Sequence, residues 1–213
     1  MHPNPACRAT AQPELLAFVR EQGFGMLTVN GKDGPLAAHV PFVISPDGAH
    51  LDLHLARSNP ISRSPLPCPA LVAVQGPDAY ISPDWYGPHD QGPDQVPTWN
   101  YIAAHLRGTL HPLPPGALKR HLDAISAEQE LRLLPKKPWT SAKMTESAMP
   151  RMMRMILPFR LEISGVEGTW KLNQNKPPEV RARAASVLRQ RPAQTNAARL
   201  ADEMDRISRP DPT

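Results

Sequence analysis

Between Phe24 and Ala56 apolar residues recur at every second position, and tight-turn chemistry interrupts the pattern twice. Phe24–Asn30 reads as a strand, and NGKDGP at 30–35 supplies a turn. Leu36–Ser45 returns with Leu36, Ala38, Val40, Phe42 and Ile44 on one face. Pro46-Asp47-Gly48 turns the chain again into His50–Ala56, where Leu51, Leu53 and Leu55 alternate with polar positions. Side chains of a strand point alternately to its two faces, so the pattern predicts an antiparallel meander with one face buried, not a βαβ series.

The flanking segments have other periods. Residues 13–22 place Leu15, Leu16, Phe18 and Val19 on one helical stripe, with Pro13 suited to the first turn and Gly23 to the C-terminal cap. ALVAVQ at 70–75 reads as a strand covered on both faces, continued by 79–82, and 83–96 as a long aperiodic loop. Pro97–Leu110 is the longest strand candidate, with a bend expected near Gly108. A helix is predicted over 115–134 with Leu118, Leu122, Ile125 and Leu131 buried, and a shorter one over about 147–156. A last strand, 159–164, is expected to turn at Gly165–Gly168 into 169–172, followed by helices at 177–191 and 195–207. Short strands with turns between them favour a closed or nearly closed antiparallel barrel. The class is α+β, with a barrel domain over 1–176, inserted helices at about 115–156, and a helical extension over 177–213.

Composition excludes several classes. No apolar run reaches the ~20 residues of a membrane span, and a signal-peptide pattern is absent from the first twenty residues, so a cytoplasmic protein without membrane contact is expected. Two cysteines, Cys7 and Cys68, build neither a disulfide framework nor a zinc site, and no metal site is expected. The net charge of +4 is uneven: residues 1–131 carry eight Lys/Arg against twelve Asp/Glu, whereas 132–160 carry seven basic residues against Glu146. Such a cluster suits nucleic acid or phosphorylated ligands, but no helix-turn-helix or zinc-finger pattern accompanies it.

Hydrolase, metalloprotease, Walker-loop and GxGxxG patterns are missing. Polar and aromatic residues gather instead at strand ends. HLARSNP at 54–60 sets Arg57, Ser58 and Asn59 directly after a strand, and an arginine fork suits phosphate. TWNY at 98–101 puts a large aromatic beside an amide, and KLNQNK at 171–176 clusters two cations with three amides. Together they suggest a phosphorylated, aromatic, polar ligand at a barrel rim.

HLARSNP at 54–60, QGPDAYISPDWY at 75–86, VPTWNY at 96–101, WKLNQNK at 170–176 and HVPF at 39–42, in this order and spacing, resemble the PaiB-like family of FMN-binding proteins, described as negative transcriptional regulators. The resemblance runs over about 13–191. It implies the split β-barrel of pyridoxamine-phosphate-oxidase-like flavoproteins and a homodimer with FMN at the interface. By position it implies flavin contacts at His39, Val40, Pro41 and Phe42, and a phosphate-binding role for His54, Arg57 and Asn59. It implies contacts near the ring from Trp99 and Asn100, with Lys171, Gln174, Asn175 and Lys176 from the later segment. Gly87–Gln95 is longer than the loop the family implies. The expected activity is NAD(P)H-dependent flavin redox chemistry. The alternatives are a flavin- or redox-responsive regulator that binds DNA, and a haem-handling split-barrel protein.

Overall fold

The alternating runs of the sequence become the strands of a closed barrel. The computed structural model describes residues 2–87 and 95–190. Six strands, β1 (Phe24–Gly31), β2 (Gly34–Ile44), β3 (His50–Ala56), β4 (Cys68–Ile81), β5 (Thr98–Pro112) and β6 (Ile156–Lys171), close in the order β1-β2-β3-β6-β5-β4. Among the described residues four α-helices accompany them: α1 (Gln12–Gln22), α2 (Ala117–Leu131), α3 (Ala148–Met153) and α4 (Pro178–Gln190). The chain groups into two units. One is built from Met1–Asp78 and Asn100–Leu172, the other from Ala79–Trp99 and the chain from Asn173 on.

The interior of the first unit is the apolar face of each strand. Leu27, Val40, Phe42, Leu51, Leu53, Val72, Leu106 and Phe159 are buried there. On β2 the predicted face holds, with Ala38, Val40, Phe42 and Ile44 inward and His39 outward. β1 and β2 pair along their whole common length, from Phe24↔Pro41 to Gly31↔Gly34. The β2–β3 ladder runs only over Phe42–Ile44, paired with Leu51–Leu53. This short seam leaves the stretch of β2 near His39 outside the ladder with β3.

α1 closes one end of the barrel through buried Leu15 and Val19. Gly23 ends it in the left-handed conformation (φ 58°), its N–H donating to the Val19 carbonyl, as the sequence predicts. The Arg132 guanidinium reaches the Arg20 and Glu21 carbonyls of the last turn of α1.

Two expectations change. β6 is one continuous strand of 16 residues rather than two joined at Gly165–Gly168. Gly165 and Gly168 keep extended backbone and pair with Arg107 and Ala104. A Cβ on Gly168 would lie 2.0 Å from Leu15 Cδ2, so that glycine serves the close approach of α1 and not a turn. On α2, Leu131 is 63% exposed, and the buried stripe is Leu118, His121 and Ile125. β4 runs unbroken from Cys68 to Ile81, so the run at 70–75 and the segment at 79–82 belong to one strand. The bend near Gly108 is present as a register shift between Arg107 and Gly108. Within 83–96, Pro83–Tyr86 forms a 3-10 turn, while residues 88–94 lie outside the described residues, as does the expected helix at 195–207.

Candidate functional site

Outward-facing residues of β2, β1, β4 and β5 surround a cavity of about 520 Å³ in the first unit. Phe24 and Met26 of β1 are exposed apolar side chains on this face, and the His39 imidazole stacks on the Phe24 ring at 6.3 Å with 20° between planes. Gln75 borders the cavity from β4, and Tyr101 and His105 from β5. His105 Nδ1 is buried without a protein partner among the described residues, and burial lowers that imidazole's pKa. A buried polar atom left unpaired costs free energy, so it marks a point at which a ligand atom is gained with profit to both.

Of the sequence-predicted flavin contacts, His39 lines this cavity and Pro41 lies on the same side of β2. Val40 and Phe42, each 1% exposed, commit their side chains to the barrel core, so any ligand contact they make is through the backbone. Asn100 faces the opposite side of β5 from Tyr101, by strand alternation, and its Oδ1 is also buried without a partner. Lys171 pairs with Tyr101 in register.

The end of β3 carries the second group. The Asn59 side chain accepts the Ile61 N–H at 2.9 Å and so caps the short turn Pro60–Arg63. Arg57 is exposed, and two bonds fix it: its backbone N–H donates to the Met155 carbonyl at 2.8 Å and its Nε to the Arg154 carbonyl at 3.1 Å. Its terminal amino groups remain for an anion. Arg57 does not share the cavity of His39 within one chain.

His54 is placed differently from an open phosphate ligand. On the outer face of β3 its Nδ1 lies 2.9 Å from His121 Nε2 of α2, ring centroids 5.1 Å apart. The neighbouring outward residue, Asp52, binds Arg160 of β6 through two bonds of 2.7 and 2.9 Å. Sequence reading missed His121, although its spacing from Leu118 and Ile125 (i, i+3, i+7) is that of a buried helical stripe.

Burial lowers the pKa of both imidazoles, His121 to about 4, with the nearby His54 charge adding to the effect and Asp52 opposing it. The fold therefore holds the pair neutral at pH values where the unfolded chain, titrating near 6.5, binds protons. Stability is present above that value and is lost as pH falls toward 4, by on the order of 3 kcal/mol for His121 alone. Urea midpoints measured from neutral pH downward should show this loss beginning before the carboxylates titrate. His121→Phe should flatten that part of the profile, and a wild-type profile already flat there contradicts the assignment.

The second unit holds Trp99, Gln174, Asn175 and Lys176. Trp99 is 54% exposed and meets the Tyr80 ring edge-on at 6.2 Å, and Tyr80 meets Trp85 at 6.5 Å. Lys176 Nζ lies 5.1 Å from the Tyr86 ring centroid and also bonds Gln95. Arg183 of α4 donates to the Tyr86 carbonyl at 2.8 Å. Gln174 is half-buried and Asn175 exposed.

Elsewhere, burial raises the pKa of the Cys68 thiol, which disfavours the nucleophilic thiolate. Among the described residues there is no cluster of three metal-ligating side chains, and no helix long and apolar enough to cross a membrane.

Residues 1–165 match the family described as "Putative FMN-binding domain". The chain is 30% identical over 172 residues to the protease synthase and sporulation protein PAI 2 of Bacillus subtilis, covering 79% of this chain and 80% of that protein. In structure it is similar to the FAD and heme binding protein of Mycobacterium smegmatis, with a TM-score of 0.56 at 17% identity, covering 84% of this chain and 80% of that one. The flavocytochrome Anf3 of Azotobacter vinelandii is similar at a TM-score of 0.56 and 12% identity, over 85% and 78% of the two chains. The barrel is thus the split barrel of flavoproteins, and the chain belongs to the PaiB-like family of FMN-binding proteins.

Proposed function

We infer that the FMN ring lies on the outer face of β1, β2, β4 and β5, that the phosphate is held at the end of β3, and that a second copy of the chain completes the site. The observation that carries this reading is the cavity of about 520 Å³, largely apolar, with His39 and the buried, unpartnered Nδ1 of half-buried His105 at its edge. These residues fit a flavin ring: Phe24 and Met26 offer an apolar floor, and His39, His105, Gln75 and Tyr101 offer polar atoms at its margin. Exposure of Phe24 at 53% and Met26 at 37% on one face supports cover by a partner, because contiguous apolar surface on a lone chain is costly. Arg57 suits the phosphate through its fork of donors, with Asn59 beside it. His54, held against His121, would position this strand end rather than ligate. Asn100 and Lys171, both of the first unit, are assigned to the ring surroundings.

Bound FMN supplies hydride and electron transfer. The chain's part is to orient the ring, exclude water and set hydrogen bonds at its edge. Hydride transfer is the chemistry a bound flavin supplies, so we assign NAD(P)H-dependent flavin reduction. Mixing FMN-loaded protein with NADPH or NADH under nitrogen should bleach the visible flavin band. A band that stays intact while FMN remains bound leaves a binding protein and no reductase.

A regulatory reading finds little surface to stand on. Of the seven cations in 132–160, Arg132 caps α1, Lys136 pairs with Glu130 and Arg160 pairs with Asp52. Lys137, Lys143, Arg151 and Arg154 are the ones left for DNA, and steep salt dependence of DNA binding would speak for that use.

A further inference from the structure

A second cavity, of about 640 Å³, opens in the first unit among the helical insert, the end of β3 and the start of β6. None of the residues lining it lines the flavin-sized cavity. Its walls are Leu118 from the first turn of α2, Met149 and Met153 from α3, and Ile156 and Leu157 from β6. Its volume falls within the roughly 300–1,000 Å³ of small-molecule pockets, and such pockets are mainly apolar with a few placed polar groups. Met149 and Met153 among these walls give a surface that adapts to different apolar shapes.

The charges at its mouth are not balanced. Arg57, Lys119 and Arg154 line the cavity, with Glu146 the one carboxylate among them. Lys119 is already paired with Asp123 at 2.5 Å. Arg154 is exposed, and its guanidinium has no protein partner among the described residues; its carbonyl holds the Nε of Arg57 beside it. Both arginines thus line an apolar pocket, and the Nε of Arg57 is held by the Arg154 carbonyl. Guanidinium forks bind carboxylate or phosphate heads with bidentate, charge-assisted bonds.

We propose that this cavity binds an amphipathic anion, a molecule with an apolar chain or ring body and one anionic head, with the body between α2 and α3 and the head at Arg154. The site is separate from the flavin ring, and its decisive cation, Arg154, has no part in the flavin reading above. An occupant held by Arg154 leaves the Arg57 fork to the flavin phosphate, so both ligands are bound together. The cavity stands whether or not FMN occupies the other one.

The test is calorimetric titration of the full chain, saturated with FMN, with decanoate, decanol and decyltrimethylammonium, while the flavin absorbance is followed. Decanoate should bind, decanol should bind about tenfold or more weakly, and the cation should not bind. Arg154→Ala should weaken decanoate about tenfold with decanol unchanged. Met153→Trp, which fills the cavity, should abolish both, and the visible spectrum should report FMN still bound in each variant. Equal affinity for decanoate and decanol, full decanoate affinity in Arg154→Ala, or release of FMN by decanoate would overturn the proposal. So would the absence of decanoate binding to the wild-type chain. Decanoate binding by a chain that takes up no FMN would support this site while removing the flavin reading.

Discussion

Arg57→Ala is expected to weaken FMN binding by about one to two powers of ten, measured by quenching of FMN fluorescence on titration with protein. A hydrogen bond to a charged group contributes roughly 1.5–3 kcal/mol, which is a factor of about ten to a hundred and fifty. The thermal midpoint should barely move, because Arg57 is exposed and its side chain makes one bond within the protein, from Nε to the Arg154 carbonyl. Arg57→Lys should recover part of the affinity, since an ammonium keeps the charge and loses the planar fork. Undiminished affinity in Arg57→Ala would put the phosphate elsewhere and leave the end of β3 without a ligand role.

The largest stability effect is expected at Gly108. A Cβ placed there would lie 1.9 Å from the Glu162 carbonyl oxygen and 2.8 Å from its carbon, both of them backbone atoms of the paired strand. Real atoms do not approach so closely, and backbone within a ladder cannot step aside as a side-chain end can. Gly108→Ala must therefore open the β5–β6 pairing at the register shift after Arg107. The expected cost is about 3 kcal/mol or more, at the severe end of overpacking. For a chain of this size that corresponds to a fall of roughly 6–12 °C in the thermal midpoint. Gly165→Ala is the control, because a Cβ at Gly165 meets nothing within 4 Å. A Gly108→Ala protein as stable as Gly165→Ala would mean that the bulge does not hold the two strands as described.

The contrast between these glycines also explains what could be read from residues alone. The meander from Phe24 to Ala56 was legible because strand alternation is local: Leu51, Leu53 and Leu55 need only their own sequence to declare a buried face. Gly23 and Gly108 were legible for the same reason, one as a helix cap and the other as a bend. Gly168 was not, since its cause is Leu15, more than 150 residues away, and a glycine that admits a neighbour looks in sequence like one that turns the chain. His121 was passed over because a polar residue on a helical stripe reads as surface until its partner, His54 on β3, is in place.

The candidate site was legible to a similar depth. Arg57 and Asn59 after a strand and His39 on the outer face of another follow from pattern and motif. That Val40 and Phe42 turn inward also follows from alternation, and it restricts how the motif HVPF can touch a ligand. What sequence did not supply is the division of these residues between the cavity of His39 and the rim of the second cavity at Arg57. That division needs the fold of the insert, where α2 and α3 meet the start of β6.

The central claim is that FMN sits where two copies of the chain meet, on the face that exposes Phe24 and Met26. Sedimentation velocity recorded at the visible absorbance of bound flavin, which sees only molecules that carry it, tests this most directly. The expected result is a single flavin-bearing boundary at twice the chain mass of 23.5 kDa, with one FMN per chain. Phe24→Asp should shift the protein to the mass of one chain and leave the flavin behind as free FMN. Flavin travelling with a species of one chain's mass, in the wild-type protein or in Phe24→Asp, would contradict the account.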